Sequence, residues 1–215
     1  MNLFVFILSC LCVVFAAPSN KNSKPKTSED IGLAKLKQIE ALEANSANGI
    51  IIFETKQYLD FVEKNPRPYD IVLLWNVEPG SLCDHCITVE GEYNQMVYSF
   101  LKERGLDKQH SEKKIFFGII RFKQDKDLQN LFKKNELMTV PYLTVSPMDL
   151  KRDPNQESLF QTENKWLVGA NEVFDANKQI EFVNNILRTD VKIKFPFTTI
   201  LWKNFLGLCI IGLLF

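Results

Sequence analysis

The stretch DIVLLWNVEPGSLCDHCITVEGEY, residues 70–93, carries most of the information about the fold. It begins with a continuous apolar run over 70–76, which indicates a central β-strand covered on both faces. The segment VEPGSL then leads to Cys83 and Cys86, and the residues after Cys86 repeat apolar side chains at helical spacing. The stretch therefore predicts a buried strand, a loop, a cysteine pair and an amphipathic helix, in that order.

The rest of the chain continues this alternation of strands and helices. Short apolar runs predict strands at 49–54, 114–122, 140–147 and 165–169, and helical spacing predicts helices at 31–44, 55–65, 125–137 and 175–187. Asp30 and Asp175 are predicted N-caps, and Gly105 is a predicted C-terminal cap. An early β-α-β half followed by a late β-β-α half indicates one α/β domain with a mixed sheet.

The composition is that of a globular protein without a charge excess. Hydrophobic residues make up 46% of the 215, and 26 Lys and Arg balance 26 Asp and Glu. A nucleic-acid partner is excluded, because such a partner requires a basic surface. Only His85 and His110 are available for histidine-based chemistry.

Both ends of the chain have the character of membrane-targeting segments. Residues 1–17 predict a secretory signal peptide, with an uncleaved signal anchor as the alternative, and 18–30 predict a flexible leader. The domain is expected at 31–190 and a linker at 191–197. Residues 198–215 have about the minimum length for a transmembrane helix. A chain cut off from a longer multispan protein is favoured there over a single span or a lipid-anchor signal.

The cysteine count leaves one pair for the exported domain. Cys10 and Cys12 leave with the signal peptide, and Cys209 lies in the apolar tail. In an oxidising compartment, Cys83 and Cys86 are expected to form a disulfide with each other or with a partner. A cysteine at a helix N-terminus is stabilised as a thiolate, which is the form that exchanges disulfides.

Two other interpretations of the cysteine pair remain open. Zinc requires four ligands, and only the two histidines are available to complete a site, so no metal is expected. An inert structural disulfide is the stronger alternative, although so small a loop adds little stability. His85 can stabilise the thiolate of Cys83, whereas the charge of Asp84 opposes it, and the sign of their net effect is left open.

The combination of motifs resembles the thioredoxin fold. The cysteine pair follows a central strand and opens a helix, and the Val140–Pro141 pair begins a later strand, 55 residues after Cys86. The resemblance implies a cis proline at Pro141 beside the redox pair, where the neighbouring backbone, including Val140, pairs with an extended substrate. Ordinary thioredoxins carry Trp directly before the first cysteine. Here Trp75 stands eight positions before Cys83, which indicates a longer and less rigid active-site loop.

The chain from about Leu33 to Phe197, with the signal peptide before it, resembles the thioredoxin-like subunits of oligosaccharyltransferase, whose animal members are called tumour suppressor candidate 3 and its magnesium transporter-named homologue. The match rests on CDHCITVEGEYNQMVYSF at 83–100 and on IEFVNNILRTDVKIKFPF at 180–197. The second segment has that family's closing helix, then Arg-Thr-Asp-Val, then a basic and proline-containing approach to the first membrane span.

This resemblance implies a function in the membrane of the endoplasmic reticulum, with the redox domain in the lumen. The family is thought to capture cysteine-containing nascent polypeptides by transient mixed disulfides, so that nearby acceptor sites are N-glycosylated by another subunit. Cys83 would attack, Cys86 would resolve, and Asp84, His85, Val140 and Pro141 would face the substrate. Other oligosaccharyltransferase subunits are the expected partners and no cofactor is expected. A membrane-anchored disulfide isomerase or oxidase and a non-redox binding module are the alternatives. Magnesium transport, suggested for animal members, is not expected of this chain.

Overall fold

The computed structural model describes residues 27–81, 83–106, 114–123, 125–150, 156–169 and 175–196. The predicted signal peptide, most of the predicted leader, His110 and the predicted membrane span lie outside these residues. Within the described ranges, no helix is both long enough and apolar enough to cross a bilayer. Helices pack on both faces of a central five-stranded mixed sheet, which confirms the predicted α/β class.

The helices and strands follow one another in the predicted order. The helices are α1 (Ser28–Ala44), α2 (Thr55–Tyr58, continued by the π-helical turn Leu59–Glu63), α3 (Asp84–Leu106), α4 (Lys126–Lys134) and α5 (Ala176–Leu187). The strands are β1 (Ile50–Ile52), β2 (Asp70–Val77), β3 (Ile115–Phe122), β4 (Tyr142–Ser146) and β5 (Lys165–Leu167).

The helix ends correct two predictions and confirm a third. Thr27 is the N-cap of α1, because its hydroxyl accepts from the Asp30 amide at 3.1 Å while the Asp30 carboxylate accepts from the Thr27 amide at 3.0 Å. The predicted N-cap at Asp30 was therefore wrong, and Asp30 instead closes a capping box. Gly105 lies within α3, so its predicted role as a cap was also wrong. The N-cap at Asp175 is confirmed by its bond to the Asn177 amide at 2.9 Å.

The strands lie in the order β1-β3-β2-β4-β5. β1, β3 and β2 are parallel, whereas β4 pairs antiparallel with β2 and β5 pairs antiparallel with β4. Pro141 precedes the first residue of β4, where its missing N–H costs the sheet no ladder bond. This arrangement places the start of β4 beside the end of β2, from which the chain continues to the cysteine pair.

Strand β2 separates two hydrophobic cores. Ile71, Leu73 and Trp75 point to the layer of α1, α2 and α4, and Val72 and Leu74 point to the layer of α3 and α5. All five side chains are completely buried. The continuous apolar run in the sequence is explained by this burial on both faces.

Tyr93 on α3 connects the two central parallel strands. Its hydroxyl lies 3.0 Å from the backbone oxygens of both Val72 and Gly118, and it accepts from the Gly118 amide at 3.2 Å. A Cβ at position 118 would lie 2.3 Å from the Phe53 ring and 3.0 Å from the Ile51 oxygen. Only glycine therefore fits at the centre of β3.

The segment after α5 is bound to the surface of α3. The Lys194 amide donates to the Ser99 hydroxyl at 3.0 Å. The Gln95 side chain donates to the Lys194 oxygen, and the Lys194 ammonium pairs with Glu103. Nearer to α5, the Asn184 side chain donates to the Val191 oxygen at 2.9 Å and accepts from its amide at 3.2 Å. The described part of the predicted linker is thus attached to the domain.

Candidate functional site

Cys83 and Cys86 form a disulfide with each other. Their sulfur atoms are 1.99 Å apart and their Cα atoms 5.3 Å apart. The two cysteines differ in accessibility, since Cys83 is partly exposed and Cys86 is only 1% exposed. An incoming thiolate can therefore reach Cys83 more easily than Cys86.

Cys83 stands at the N-terminus of α3, immediately before its first residue. Its backbone oxygen accepts from the amides of Cys86 at 3.0 Å and Ile87 at 3.3 Å. Its Sγ also accepts from the Cys86 amide, at 3.2 Å. The helix start therefore directs an N–H donor at the sulfur, which stabilises negative charge there once the disulfide opens.

The loop that leads to Cys83 is organised by its own hydrogen bonds. The Ser81 hydroxyl and amide both donate to the Glu78 oxygen, at 2.6 Å and 3.2 Å, and the Cys83 amide donates to the Ser81 oxygen at 2.8 Å. Gly80 has a φ of +87°, a conformation that side-chain-bearing residues rarely adopt. Residues 78–81, which follow β2, thus form a defined turn.

A chain of hydrogen bonds connects His85 to Pro141 through Val168, the residue after β5. The His85 Nε2 lies 2.8 Å from the Val168 oxygen, and the Val168 amide donates to the Pro141 oxygen at 3.1 Å. A carbonyl oxygen only accepts, so Nε2 carries the hydrogen of this bond. The His85 side chain is therefore directed at a backbone carbonyl of the residue that is bonded to Pro141.

The other predicted substrate-facing residues lie at the same end of the sheet. The Val140–Pro141 peptide is cis, as the resemblance to thioredoxin implied. Pro141 is buried and Val140 is partly buried. Asp84 is exposed in the first turn of α3, where the helix dipole stabilises a negatively charged carboxylate.

A polar cluster beneath Cys86 was not predicted from the sequence. The Asn76 side-chain nitrogen donates to the Cys86 oxygen at 3.1 Å and to Oε2 of Glu90 at 2.9 Å. Arg121 forms two hydrogen bonds to the Glu90 carboxylate, at 2.9 Å and 2.7 Å, and one to the Val77 oxygen at 3.3 Å. The side chains of Arg121 and Glu90 are only 14% and 23% exposed. The backbone of Cys86 is therefore bonded to a buried amide, that of Asn76, which in turn contacts an ion pair largely shielded from solvent.

Signals for this cluster exist in the sequence, although they are weak ones. Glu90 follows Cys86 by four residues and so lies on the same face of α3. Asn76 is a polar residue at the end of an otherwise apolar strand. Val168, in contrast, has no distinguishing sequence signal, because its importance comes from two backbone atoms.

Metal ligands are not clustered in the described ranges. No group of three or more His, Cys, Asp and Glu residues is placed there to hold an ion. The chemistry that the site supports is thiol–disulfide exchange, since its two sulfur atoms are already paired and differ in accessibility.

Comparisons with known proteins point to one family. A family model described as "OST3 / OST6 family, transporter family" matches residues 37–215. A curated protein from Dictyostelium discoideum, "Probable dolichyl-diphosphooligosaccharide--protein glycosyltransferase subunit 3", is 30% identical over 156 residues. The matched region covers 69% of this chain and 41% of that relative, so the chain spans about two fifths of the relative's length.

Proposed function

The chain belongs to the OST3/OST6 family, and on this premise we propose that it is an oligosaccharyltransferase subunit that captures nascent polypeptides through mixed disulfides. It serves as an accessory to glycan transfer, which another subunit catalyses. The observation that carries the proposal is the pairing of a partly exposed Cys83 with a buried Cys86 at the start of α3.

The capture step follows from this difference in exposure. A thiolate of the nascent chain attacks Sγ of Cys83, the Cys83–Cys86 bond breaks, and its electron pair leaves on Sγ of Cys86. The nascent cysteine is thereby oxidised to a mixed disulfide, and Cys86 is reduced. Attack by Cys86 on Cys83 reverses the step and releases the polypeptide.

A thioredoxin-like binding surface around the pair fits this role. The sheet topology and the cis Pro141 beside β4 support a thioredoxin-like fold. Ile87 follows Cys86 and is 61% exposed, and Met138 precedes the proline segment and is 81% exposed. Exposed apolar side chains in the first turn of α3 and in the segment before Pro141 provide non-covalent contacts for an unfolded polypeptide.

The proposed location is the membrane of the endoplasmic reticulum, with this domain in the lumen. The signal peptide at 1–17 and the span at 198–215 would place it there, and the oxidising lumen would maintain the disulfide. The other subunits of the complex are the proposed partners in the membrane.

The test is glycosylation-site occupancy in cells that carry the chain with both Cys83→Ser and Cys86→Ser. Occupancy is expected to fall at acceptor sites close to cysteines and to remain normal at sites in cysteine-free proteins. Cys209→Ser is the matched control, because it removes a cysteine outside the pair. Unchanged occupancy at the cysteine-proximal sites in the double variant would refute the proposal.

Trapping separates this role from that of a general disulfide isomerase. The Cys86→Ser variant lacks the resolving thiol and should accumulate mixed disulfides on Cys83. Capture of glycosylation substrates together with oligosaccharyltransferase subunits is the expected result. Mixed disulfides with a broad set of unglycosylated proteins would instead favour the isomerase.

A further inference from the structure

Asn76 contains a buried acceptor that the oxidised site does not use. The residue is 2% exposed, and its Oδ1 has no hydrogen-bond partner among the described residues. A buried carbonyl oxygen without a donor is costly in free energy. Such an atom in a native structure requires an explanation, and a role in redox chemistry is one of the recognised explanations.

The orientation of this amide is fixed by its other end. Its nitrogen donates to the Cys86 oxygen and to the Glu90 carboxylate, which Arg121 holds in place. Rotating the amide by 180° would set its oxygen against these two acceptors and break both bonds. Oδ1 is therefore held as an acceptor close to the residue that changes chemically when the disulfide opens.

We propose that Asn76 is a positioning residue for Cys86, and that its Oδ1 accepts the S–H of Cys86 once the disulfide is open. The inference rests on the proposed thiol–disulfide exchange at this pair. Cys86 is 1% exposed, so its thiol has little access to water as a hydrogen-bond partner. The side-chain nitrogen of Asn76 already donates to the backbone oxygen of Cys86 at 3.1 Å.

The step balances without an added oxidant. The incoming thiolate forms a bond to Sγ of Cys83, and the electron pair of the broken Cys83–Cys86 bond remains on Sγ of Cys86. That thiolate takes up the proton that the incoming thiol released to solvent. The net change is one thiol and one disulfide before the step, and one mixed disulfide and one Cys86 thiol after it.

The consequence is a longer-lived mixed disulfide. Only a thiolate attacks a disulfide, so a Cys86 held as a hydrogen-bonded thiol resolves the mixed disulfide more slowly. Asn76 would thereby shift the pair from rapid turnover towards retention of the bound chain.

The experiment is an equilibrium with glutathione in the full-length chain, with Ser in place of the other three cysteines (Cys10, Cys12 and Cys209). After acid quenching, mass spectrometry gives the ratio of the glutathione mixed disulfide to the internal disulfide. In the Asn76→Ala variant this ratio is expected to fall about fivefold, because loss of one net hydrogen bond changes an equilibrium constant by about that factor. An unchanged ratio in a folded Asn76→Ala protein would overturn the inference.

Asn135→Ala is the matched control. Asn135 is also completely buried, but its side chain bonds to the Leu131 oxygen and the Leu159 amide, far along the chain from the pair. This variant should lose stability and keep the glutathione ratio. A fivefold fall in the control as well would show that general destabilisation moves the ratio, and would also overturn the inference.

A second measurement needs no change at Asn76. In the same background, Cys83→Ser leaves Cys86 as the single thiol, and its infrared S–H stretching band reports hydrogen bonding directly. The band is expected below the frequency of an alkanethiol in an apolar solvent. A band at the apolar-solvent frequency would refute the inference. Both measurements report on Cys83 and Cys86 in the isolated protein and not on glycosylation. Failure of this inference can therefore be distinguished from failure of the proposed function, which is tested by glycosylation-site occupancy.

Discussion

The Nε2 of His85 donates a hydrogen bond to the Val168 oxygen at 2.8 Å, which connects one of the two residues between the cysteines to the residue that follows β5. The same Val168 residue donates its amide to the Pro141 oxygen at 3.1 Å. The start of α3, which carries the cysteine pair, and the segment before β4 are thus connected through a single residue.

The His85 bond is expected to contribute measurably to stability. His85→Leu removes the donor and should lower the free energy of unfolding by about 1 kcal/mol. His85→Gln is the matched variant, because its side-chain nitrogen can occupy the place of Nε2 and donate to Val168. Urea unfolding should rank the Gln variant above the Leu variant, and equal losses would show that the bond is not the cause.

Breaking the ion pair between Arg121 and Glu90 should lower the free energy of unfolding more than breaking an exposed ion pair does. Arg121→Met removes the cation beside the Glu90 carboxylate, which is 23% exposed and keeps only its bond from the Asn76 amide among the described residues, and a loss of about 2 kcal/mol in the free energy of unfolding is expected. Lys123→Met is the control near the end of the same strand, since Lys123 pairs with Glu54 and Glu78 at more exposed positions. Urea unfolding should show no change for Lys123→Met, and equal effects of the two variants would contradict the expectation.

Two glycines should respond to alanine with opposite signs. Gly118→Ala places a Cβ against the buried Phe53 ring and the Ile51 backbone, and a loss of about 1–3 kcal/mol is expected. Gly91 lies exposed in the middle of α3 with open space around it, so Gly91→Ala should gain about 0.5–1 kcal/mol. Thermal or urea unfolding of the two variants checks the signs, and a stabilised Gly118→Ala would be incompatible with the packing described.

Stability should fall in alkaline solution because of Tyr93. Burial raises the pKa of Tyr93 above its ordinary value, although its bond to Gly118 acts in the opposite direction. The unfolded chain ionises its tyrosines near pH 10, so the contribution of Tyr93 is complete below about pH 10 and is lost as the pH rises further.

The expected slope for this one group is about 1.4 kcal/mol per pH unit above pH 10. Tyr93→Phe removes the ionisable group and should make the fall shallower by that amount, although it starts from a lower stability. Urea unfolding from pH 8 to pH 11 measures both curves. Parallel curves above pH 10 would disprove the assignment to Tyr93.

The order of strands and helices was predictable because each element has its own local pattern. The apolar run of β2 and the stripe of α3 are visible in the sequence, and both are explained by burial. The start of α1 was misplaced because two polar residues three positions apart, Thr27 and Asp30, can each act as a cap. Thr27 does so, since its hydroxyl reaches the third amide of the helix.

The cluster beneath Cys86 was not predictable for a different reason. Asn76 and Arg121 are register partners in the parallel pairing of β2 with β3. That register is fixed by the packing of both cores and not by any signal near either residue. The bond between Lys194 and Ser99 was not predictable either, because it joins positions far apart in the sequence.

The segment after α5 is attached to α3 at a fixed distance along the helix from the disulfide. Lys194 is anchored at Ser99, which lies sixteen residues along α3 from Cys83, or about 24 Å at 1.5 Å per residue. In the proposed membrane setting the span begins only four residues after this anchor, at 198. The disulfide would then be joined to the span through α3, a rigid helix, and not through a freely moving chain.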